Sequence, residues 1–94
     1  NKTLLCNGAT IQSTGGPIRM AGSGRVLIID NCRIQGTGWA LLGATNGATL
    51  TIRNNTSLTG NGSNSAIYVA GATLDMRDSS ITGCRWGANL ENAD

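Results

Sequence analysis

The chain of 94 residues is long enough for one small domain with one modest core. Charged residues make up 13% of the sequence and the net charge is only +2, which argues against binding to nucleic acid or to an anionic membrane. The absence of histidine excludes histidine-based triads and imidazole metal sites, and no apolar run approaches the roughly 18 residues of a membrane-spanning helix.

A repeat with a period of about 23 residues runs through the whole chain. The segments GATLTIRNNTSLTG from Gly47 and GATLDMRDSSITG from Gly71 keep their glycines and apolar positions while other residues change. Repeats of about 20–50 residues are typical of solenoids, propellers and arrays. A propeller blade needs about 40 residues and antiparallel hairpins, and no short hairpin turns are placed here to supply them. We therefore expect a solenoid.

The first strand of each repeat is predicted by alternating apolar residues, as in TLTIR and TLDMR. Alternation is expected of a strand with one buried face. One predicted core row contains Leu5, Ile28, Ile52 and Met76. A parallel row two residues earlier contains Thr3, Val26, Leu50 and Leu74. Leu4, Leu27 and Ile29 are then expected to form an outward apolar strip, which a flanking segment or a partner would cover.

A polar row follows the first strand and predicts a corner of the solenoid. The row contains Asn7, Asp30, Asn54 and Asp78. Stacked Asn side chains at a corner can hydrogen-bond from one coil to the next and satisfy the backbone groups of the turn. Alternation of Asn with Asp keeps carboxylates apart, so we interpret this row as a structural ladder.

The second strand of each repeat is predicted around a third apolar row, which keeps the same period as the other rows. The row contains Ile11, Ile34, Leu58 and Ile81. Gly36, Gly60 and Gly83 follow it and are expected to give the next corner its backbone freedom, while the first repeat has Ser13 there. The outward positions are rich in Ser and Thr. Rows of Ser and Thr side chains can bind ice, so an ice-binding face is an alternative to a plain soluble face. It is the weaker alternative, because Arg33 and two Gln interrupt the regular array of hydroxyl groups.

A third strand is predicted in each repeat from apolar residues two positions apart. The pairs are Ile18 and Met20, Ala40 and Leu42, Ile67 and Val69, and Ala88 and Leu90. Gly, Asn, Ser and Asp fill the intervals between strands, and these residues tolerate turn conformations. No segment shows sustained helical periodicity.

Three short strands in each repeat predict an all-β right-handed parallel β-helix, a solenoid of about four coils of 23–24 residues. Like residues of successive coils would lie above one another at about 4.8 Å. We expect residues 1–94 to form a single module. Both ends would expose unpaired strand edges, and neither shows an amphipathic helix to cap them. The module is therefore expected to be a segment or repeating unit of a larger protein or assembly.

The segment SLTGNGSNSAIYVAGATLDMRDSSITG, residues 57–83, carries a resemblance. It resembles the right-handed β-helix repeats of pectate-lyase-like proteins, and more closely the short repeats of polymorphic-membrane-protein-type and of algal or bacterial surface proteins. Those repeats have a GGAIYV strand, a G-A-T-L strand and then S-x-[FI]-x-G-N. Here Ser65–Val69 lacks the double glycine, and Leu58 and Ile81 replace the usual Phe. The resemblance implies an extracellular scaffold or adhesin and carries over no catalytic residue.

Three cysteines, Cys6, Cys32 and Cys84, form neither a CxxC pair nor a zinc spacing. The odd number leaves one thiol free or paired outside the chain. Alternatively, all three are small buried or half-buried apolar residues. The sequence leaves the pairing open.

The charged candidates for a ligand site are Arg53, Asp75 and Arg77 on the first strand. Arg53 is expected above Arg77, with Asp75 two residues away on the same face. A polysaccharide lyase would use a carboxylate for Ca²⁺ or uronate charge and an arginine as base or clamp. The alternative is a surface ion pair that relieves stacked arginines. We favour the ion pair, because connections this short cannot build a cleft.

Trp39 and Trp86 are the candidates for a carbohydrate platform by residue type, because exposed aromatic rings can stack on sugars. The alternative is that both rings plug corners or cover the core. Sequons add four candidate N-glycosylation sites, Asn1, Asn54, Asn55 and Asn61. We expect Asn61 to be preferred because it lies in the longest predicted loop, and Asn54 to be disfavoured because it belongs to the ladder.

The sequence thus predicts a non-enzymatic, extracellular or cell-surface β-helix with a structural or adhesive role. Such modules could stack end to end in a filament or a surface layer. We expect no catalytic residues, no cofactor and no metal. The expected partners are neighbouring coils or copies of the chain stacked end to end, and carbohydrate as a further ligand. A carbohydrate-binding or polysaccharide-lyase-like β-helix is the alternative.

Overall fold

The computed structural model describes residues 1–91, in which twelve short strands and no helix occur. The strands form three parallel sheets of four, numbered in chain order. The first sheet contains β1 (Lys2–Leu5), β4 (Val26–Asp30), β7 (Thr49–Arg53) and β10 (Thr73–Met76). The second contains β2 (Thr10–Gln12), β5 (Arg33–Gln35), β8 (Ser57–Thr59) and β11 (Ser80–Thr82). The third contains β3 (Ile18–Ala21), β6 (Ala40–Thr45), β9 (Ser65–Ala70) and β12 (Trp86–Glu91).

The chain visits the three sheets in turn and then returns to the first. It therefore forms a parallel β-solenoid of about four turns, and the predicted fold is confirmed. We call the four turns coil 1 to coil 4. Each coil contributes one strand to each sheet, so every strand pairs with the equivalent strand of the coil above or below.

The second sheet keeps the predicted column of core residues. Ile11 pairs with Ile34, Ile34 with Leu58, and Leu58 with Ile81. Ile34 and Leu58 are at most 1% exposed, and the two end members of the column are half-buried. The prediction of a single column is confirmed for this strand.

The first sheet has another register than predicted in coils 1 and 2. Leu4 pairs with Ile29, and Ile29 pairs with Ile52. Leu5 is 64% exposed and Ile28 is half-buried on the outer face, so the predicted core row is wrong at both. The observed core rows are Leu4, Ile29, Ile52 and Met76, and Leu27, Leu50 and Leu74, with exposed Lys2 at the coil 1 position of the second row. The predicted outward strip Leu4, Leu27 and Ile29 and the predicted inward Thr3 and Val26 are wrong for the same reason.

Unequal corners explain this shift. The corner between the first and second strands has four residues in coil 1, two in coil 2 and three in each of coils 3 and 4. Because the corner of coil 2 is shorter than that of coil 3, Ile29 rather than Ile28 stacks on Ile52. The corner of coil 1 is longer than that of coil 3, so the inward position of its first strand lies one residue earlier in the sequence than equal spacing predicts. Leu4 rather than Leu5 therefore faces inward. A shift by one position moves every side chain of a strand to the other face, because the side-chain period is two.

The polar corner ladder is also corrected at one position. Asn7, Asn31, Asn54 and Asp78 all have φ between 49° and 58°, the left-handed conformation that Asn and Asp tolerate. Asp30, predicted as a ladder member, is instead the last residue of β4. Asn31 takes its place in the corner and its Nδ2 donates to the carbonyl of Asn54 at 2.8 Å. The ladder therefore joins coil 2 to coil 3 as predicted, through Asn31 in the corner and through Asp30 at the end of the strand, whose carboxylate accepts Asn54 Nδ2.

The corner after the second strand needs glycine because backbones of successive coils meet there. A Cβ atom on Gly36, whose φ is +151°, would collide with the backbone of Ser13 in the coil before. A Cβ on Gly60 would lie 2.9 Å from the carbonyl oxygen of Gly83 in the coil after. The glycine row thus permits close stacking as well as turning.

The core is closed in the middle coils and open at both ends. In the third sheet Leu42 and Ala44 stack on Ile67 and Val69, so the core pair of coil 2 is shifted by two positions from the predicted Ala40 and Leu42. The fully buried large apolar residues all come from coils 2 and 3: Ile29, Ile34, Leu41, Leu42, Leu50, Ile52, Leu58, Ile67 and Val69. The equivalent residues of coils 1 and 4 are half-buried or exposed.

Candidate functional site

The strongest polar cluster lies on the outer face of the first sheet and joins coils 2 and 3. Arg53 Nε donates to Asp30 Oδ2 at 2.7 Å, and Asn54 Nδ2 donates to both carboxylate oxygens of Asp30 at 3.0 Å. Asp30 is 5% exposed. The hydrogen bonds from Arg53 and then Asn54 hold the pKa of the Asp30 carboxyl below its usual value, and they outweigh the desolvation that opposes them.

The other two charged candidates pair within coil 4. Arg77 Nη2 donates to Asp75 Oδ2 at 2.7 Å. Both side chains are exposed to solvent, Arg77 to 63% and Asp75 to 44%. The hydrogen bond to Asp75 and its Coulomb attraction raise the pKa of Arg77. Each arginine is thus occupied by its own carboxylate, which is the ion-pair arrangement rather than an open acid–base cluster. The partner of Arg53 is Asp30, which sequence reasoning had assigned to the ladder.

Acid should weaken the solenoid through Asp30. A carboxyl whose pKa is lowered by folding stabilises the native state above its unfolded pKa of about 3.9, and this contribution is lost as the pH falls below about 4. Asp30→Asn should therefore lower the free energy of unfolding at pH 7 and flatten its decline between pH 4 and pH 2. Urea unfolding across this pH range measures both effects.

Asp75→Asn is the matched control, because its ion pair is exposed and exposed pairs contribute little. An Asp75→Asn variant that loses as much stability as Asp30→Asn would contradict the structural role assigned to the buried carboxylate.

Two aromatic rings meet on the outer face of the third sheet. Trp39 is 53% exposed, and its ring lies edge-to-face with Tyr68, with centroids 5.3 Å apart and planes at 71°. The Tyr68 hydroxyl donates to Glu91 Oε2 at 3.0 Å, which raises the Tyr68 pKa. Gly43 pairs with both Arg19 and Tyr68, so no side chain separates them. We call Trp39, Tyr68, Arg19 and Glu91 the aromatic patch.

Trp86, the second predicted platform residue, lies at the open end of coil 4. It is 51% exposed and the Arg85 guanidinium carbon lies 4.6 Å above its ring centroid. Trp86 pairs with Ser65, whereas Trp39 immediately precedes Ala40, which also pairs with Ser65. The two tryptophans are therefore in different coils, and the ring that Trp39 contacts is Tyr68. Sequence reasoning missed this pair because Tyr68 was not assigned a facing direction.

The outer face of the second sheet carries the predicted hydroxyl columns. Ser57 pairs with Ser80, and Thr59 pairs with Thr82. In coils 1 and 2 the same columns contain Thr10, Arg33, Gln12 and Gln35. The regular hydroxyl array thus covers two coils only, which leaves the ice-binding alternative without further support.

The four sequon asparagines have different environments. Asn61 is exposed, and its Oδ1 accepts the backbone N–H of Ser63 and of Asn64 in a turn. Asn55 is also exposed. Asn54 donates from Nδ2 to both carboxylate oxygens of Asp30, so a glycan on this nitrogen would disturb that contact. Asn1 Oδ1 accepts the N–H of Val26. Glycosylation of any of them stays a prediction.

The cysteines separate into a bridge and a free thiol. Cys6 and Cys32 form a disulfide between coils 1 and 2, with Cα atoms 4.9 Å apart. Cys84 is free and half-buried, and burial raises the pKa of its thiol. The alternative with three unpaired apolar cysteines is therefore wrong, and the pairing that the sequence left open is Cys6 with Cys32.

The chain was compared with protein families, with curated proteins and with solved structures. No protein family, curated protein or solved structure matches the chain. Among residues 1–91 no three potential metal-ligating side chains come together, and the part of the chain described contains no helix able to cross a membrane. The fold is therefore identified by its strand pairing alone.

Proposed function

We propose that the protein is a non-enzymatic structural or adhesive β-solenoid, acting outside the cell or on its surface, whose terminal coils are continued by further coils. The observation that carries the proposal is the open core. Leu4, Ile11 and Ile18 in coil 1 occupy the columns of fully buried residues but are only half-buried. In coil 4, Leu90 occupies such a column and is 50% exposed.

These end residues stand next to unpaired strands. β1, β2 and β3 form one edge of the three sheets, and β10, β11 and β12 form the other. Unpaired N–H and C=O groups along a strand are a template for another strand, and solenoids usually cover them. An added coil would satisfy the hydrogen bonds and bury the apolar columns at once, so the geometry favours extension at both ends.

The disulfide supports a location outside the cytosol. Cys6 and Cys32 tie together two coils, with a sequence separation of 26. Disulfides persist in oxidising compartments and are rare in the cytosol. A secreted scaffold or adhesin, as in the surface proteins with similar β-helix repeats, is consistent with this bridge and with exposed Asn61.

Duplication of one coil tests the scaffold proposal. Thr49 pairs with Thr73, so residues 49–72 are one complete coil and can be inserted a second time before Thr73. We expect the five-coil variant to fold, with a larger free energy of unfolding and a urea m-value about a quarter higher, because both scale with buried surface. Far-UV circular dichroism with urea measures this.

The control for this variant carries the same inserted segment with its residues in scrambled order. Scrambling keeps the composition and destroys the columns, so it should reduce stability. If the true duplication also unfolds the chain or leaves the m-value unchanged, coils are not additive units and the scaffold proposal fails.

Carbohydrate binding is a second candidate, favoured by the aromatic patch. Exposed Trp39 offers an apolar ring face, while Arg19 and Glu91 can hydrogen-bond to hydroxyl groups beside it. The face of a parallel sheet is flat, which suits an extended polymer rather than a small ligand. In this function the scaffold would hold sugar chains without cleaving them.

Titration of tryptophan fluorescence with soluble pectin or xylan tests the second candidate. Trp39→Ala should weaken binding about tenfold or more, which corresponds to about 1.4 kcal/mol, whereas the matched variant Trp86→Ala should bind as the wild type does. Equal losses in both variants would contradict the patch. The release of unsaturated sugars from pectin, abolished in Asp75→Ala, would instead establish the lyase alternative and overturn the non-enzymatic proposal.

A further inference from the structure

We propose that the occupant of the open ends is a second copy of this chain, stacked head to tail so that coil 4 of one copy is followed by coil 1 of the next. This inference rests on the proposed scaffold function and specifies its partner. The product would be a polar filament of identical units, because the surface at one end differs from the surface at the other and such contacts do not close.

The core columns continue across this junction. If the register between coils 1 and 2 is repeated between coil 4 and the next copy, Leu4 stacks on Met76 and Ile11 on Ile81. In the third sheet Ile18 stacks on Ala88 and Met20 on Leu90. All four contacts join apolar residues that are half-buried or exposed in the single chain. The junction thus completes the core with the same kind of contact that fills the middle coils.

The two ends differ in charge, and each has an open groove with apolar residues in its lining. The N-terminal end has an open groove of about 330 Å³ lined by Leu4, Ile18 and Met20 together with basic side chains. These basic residues are Lys2, Arg19 and Arg25, and residues 1–29 contain no Asp or Glu. The C-terminal end contains a groove of similar size with Leu90 and Ala88 in its lining.

The C-terminal end has an acidic excess of one charge. Between residues 70 and 91 the charged side chains are Asp75, Asp78, Glu91, Arg77 and Arg85, three acids against two arginines. Coil 1 therefore has an excess of positive charge, and coil 4 has an excess of negative charge. Electrostatic complementarity favours contact between unlike ends and disfavours contact between like ends.

One specific pair is expected at the junction. Continuing the register places Arg19 of the next copy beside Asn89 and Ala21 beside Glu91. Arg19 and Glu91 then lie diagonally on the outer face, within reach of a long arginine side chain. Glu91 is exposed on the outer face, where it accepts the Tyr68 hydroxyl of coil 3, so Arg19 of the next copy would approach the same carboxylate from the other side.

Strand direction selects the same arrangement. Every pairing between coils is parallel. A head-to-tail junction preserves parallel pairing, whereas two N-terminal ends related by a two-fold axis would pair their strands antiparallel. They would also bring two basic coils together, which costs free energy through like-charge repulsion.

Blocking one end at a time tests the inference. Met20→Lys places a charge in the N-terminal junction, and Leu90→Lys does so in the C-terminal junction. All proteins carry Cys84→Ser, so that no intermolecular disulfide forms. Analytical ultracentrifugation of the unblocked protein, which carries Cys84→Ser alone, up to about 1 mM should show a continuous series of oligomers, with filaments in the electron microscope.

The decisive comparison is between each blocked variant alone and their mixture. Each variant should be monomeric by itself, because its one intact end faces only blocked ends. An equimolar mixture should form a dimer and nothing larger. A second pair, Arg19→Pro and Ala88→Pro, repeats the test by removing strand addition instead of apolar contact, and circular dichroism verifies that all four variants fold.

Two outcomes would overturn the inference. Dimers of a single blocked variant would demonstrate contact between like ends, and an unblocked protein that stays monomeric at the highest concentration would demonstrate that a second copy is not the occupant. Neither outcome decides the scaffold function, which stands or falls with the coil duplication and is measured on a monomer.

Discussion

Ile29→Ala is expected to lower the free energy of unfolding by about 2–5 kcal/mol, because it removes a fully buried side chain and leaves a cavity. Ile29 stacks between Leu4 and Ile52 in the closed part of the core. For a domain whose total stability is about 5–15 kcal/mol, this is a large loss. Urea unfolding followed by far-UV circular dichroism measures it.

The neighbouring residue provides the matched control. Ile28 is in the same strand but is half-buried on the outer face, so Ile28→Ala leaves no closed cavity and should cost clearly less. Leu5→Ala, at a position that is 64% exposed, should change stability by no more than about 0.5 kcal/mol. If Ile28→Ala instead proved costly and Ile29→Ala mild, the register of the first sheet would be the equally spaced one.

Reduction of the Cys6–Cys32 bridge should cost about 3.5 kcal/mol, which is the loop-closure entropy of a crosslink with a sequence separation of 26. The bridge joins coil 1 to coil 2, and coil 1 has only half-buried core residues. We therefore expect coil 1 to lose protection first when the bridge is opened. Hydrogen exchange of β1, β2 and β3 with and without reductant measures this.

Cys84→Ser separates the bridge from the free thiol. Its stability should change little compared with Cys6→Ser/Cys32→Ser, and reductant should still weaken it. A double variant as stable as the wild type would contradict a structural role for the bridge. It would also remove one support for a location in an oxidising compartment.

The repeat was sufficient to predict the architecture, because several rows of residues independently show the same spacing of 23–24 residues. Ile11, Ile34, Leu58 and Ile81 lie where nearly equal steps place them, since the second strand is flanked by polar residues that fix its inward face. The first strand lacks this signal. Residues 26–29 are all apolar, and positions 4 and 5 are both Leu, so alternation does not tell which residues face inward.

The candidate site depended on details finer than the repeat itself. Arg53 and Arg77 do occupy equivalent places in neighbouring coils, but the partner of Arg53 is Asp30, and this follows only from the short corner of coil 2. The contact between Trp39 and Tyr68 depends on side-chain direction near the start of the third strand. Neither the Asp30–Arg53 ion pair nor the Trp39–Tyr68 contact recurs from coil to coil, so the repeat could not predict them.

The unequal corners after the first strand imply a practical property. The loop there contains two, three or four residues while the stack on either side of it remains paired. Insertions at this edge that keep the ladder residues and the Cys6–Cys32 bridge therefore alter what the molecule displays while the strands stay paired. Grafted peptides, one per turn, would form an array with a pitch of about 4.8 Å, which makes this edge the natural place for sequence variation or for engineered display.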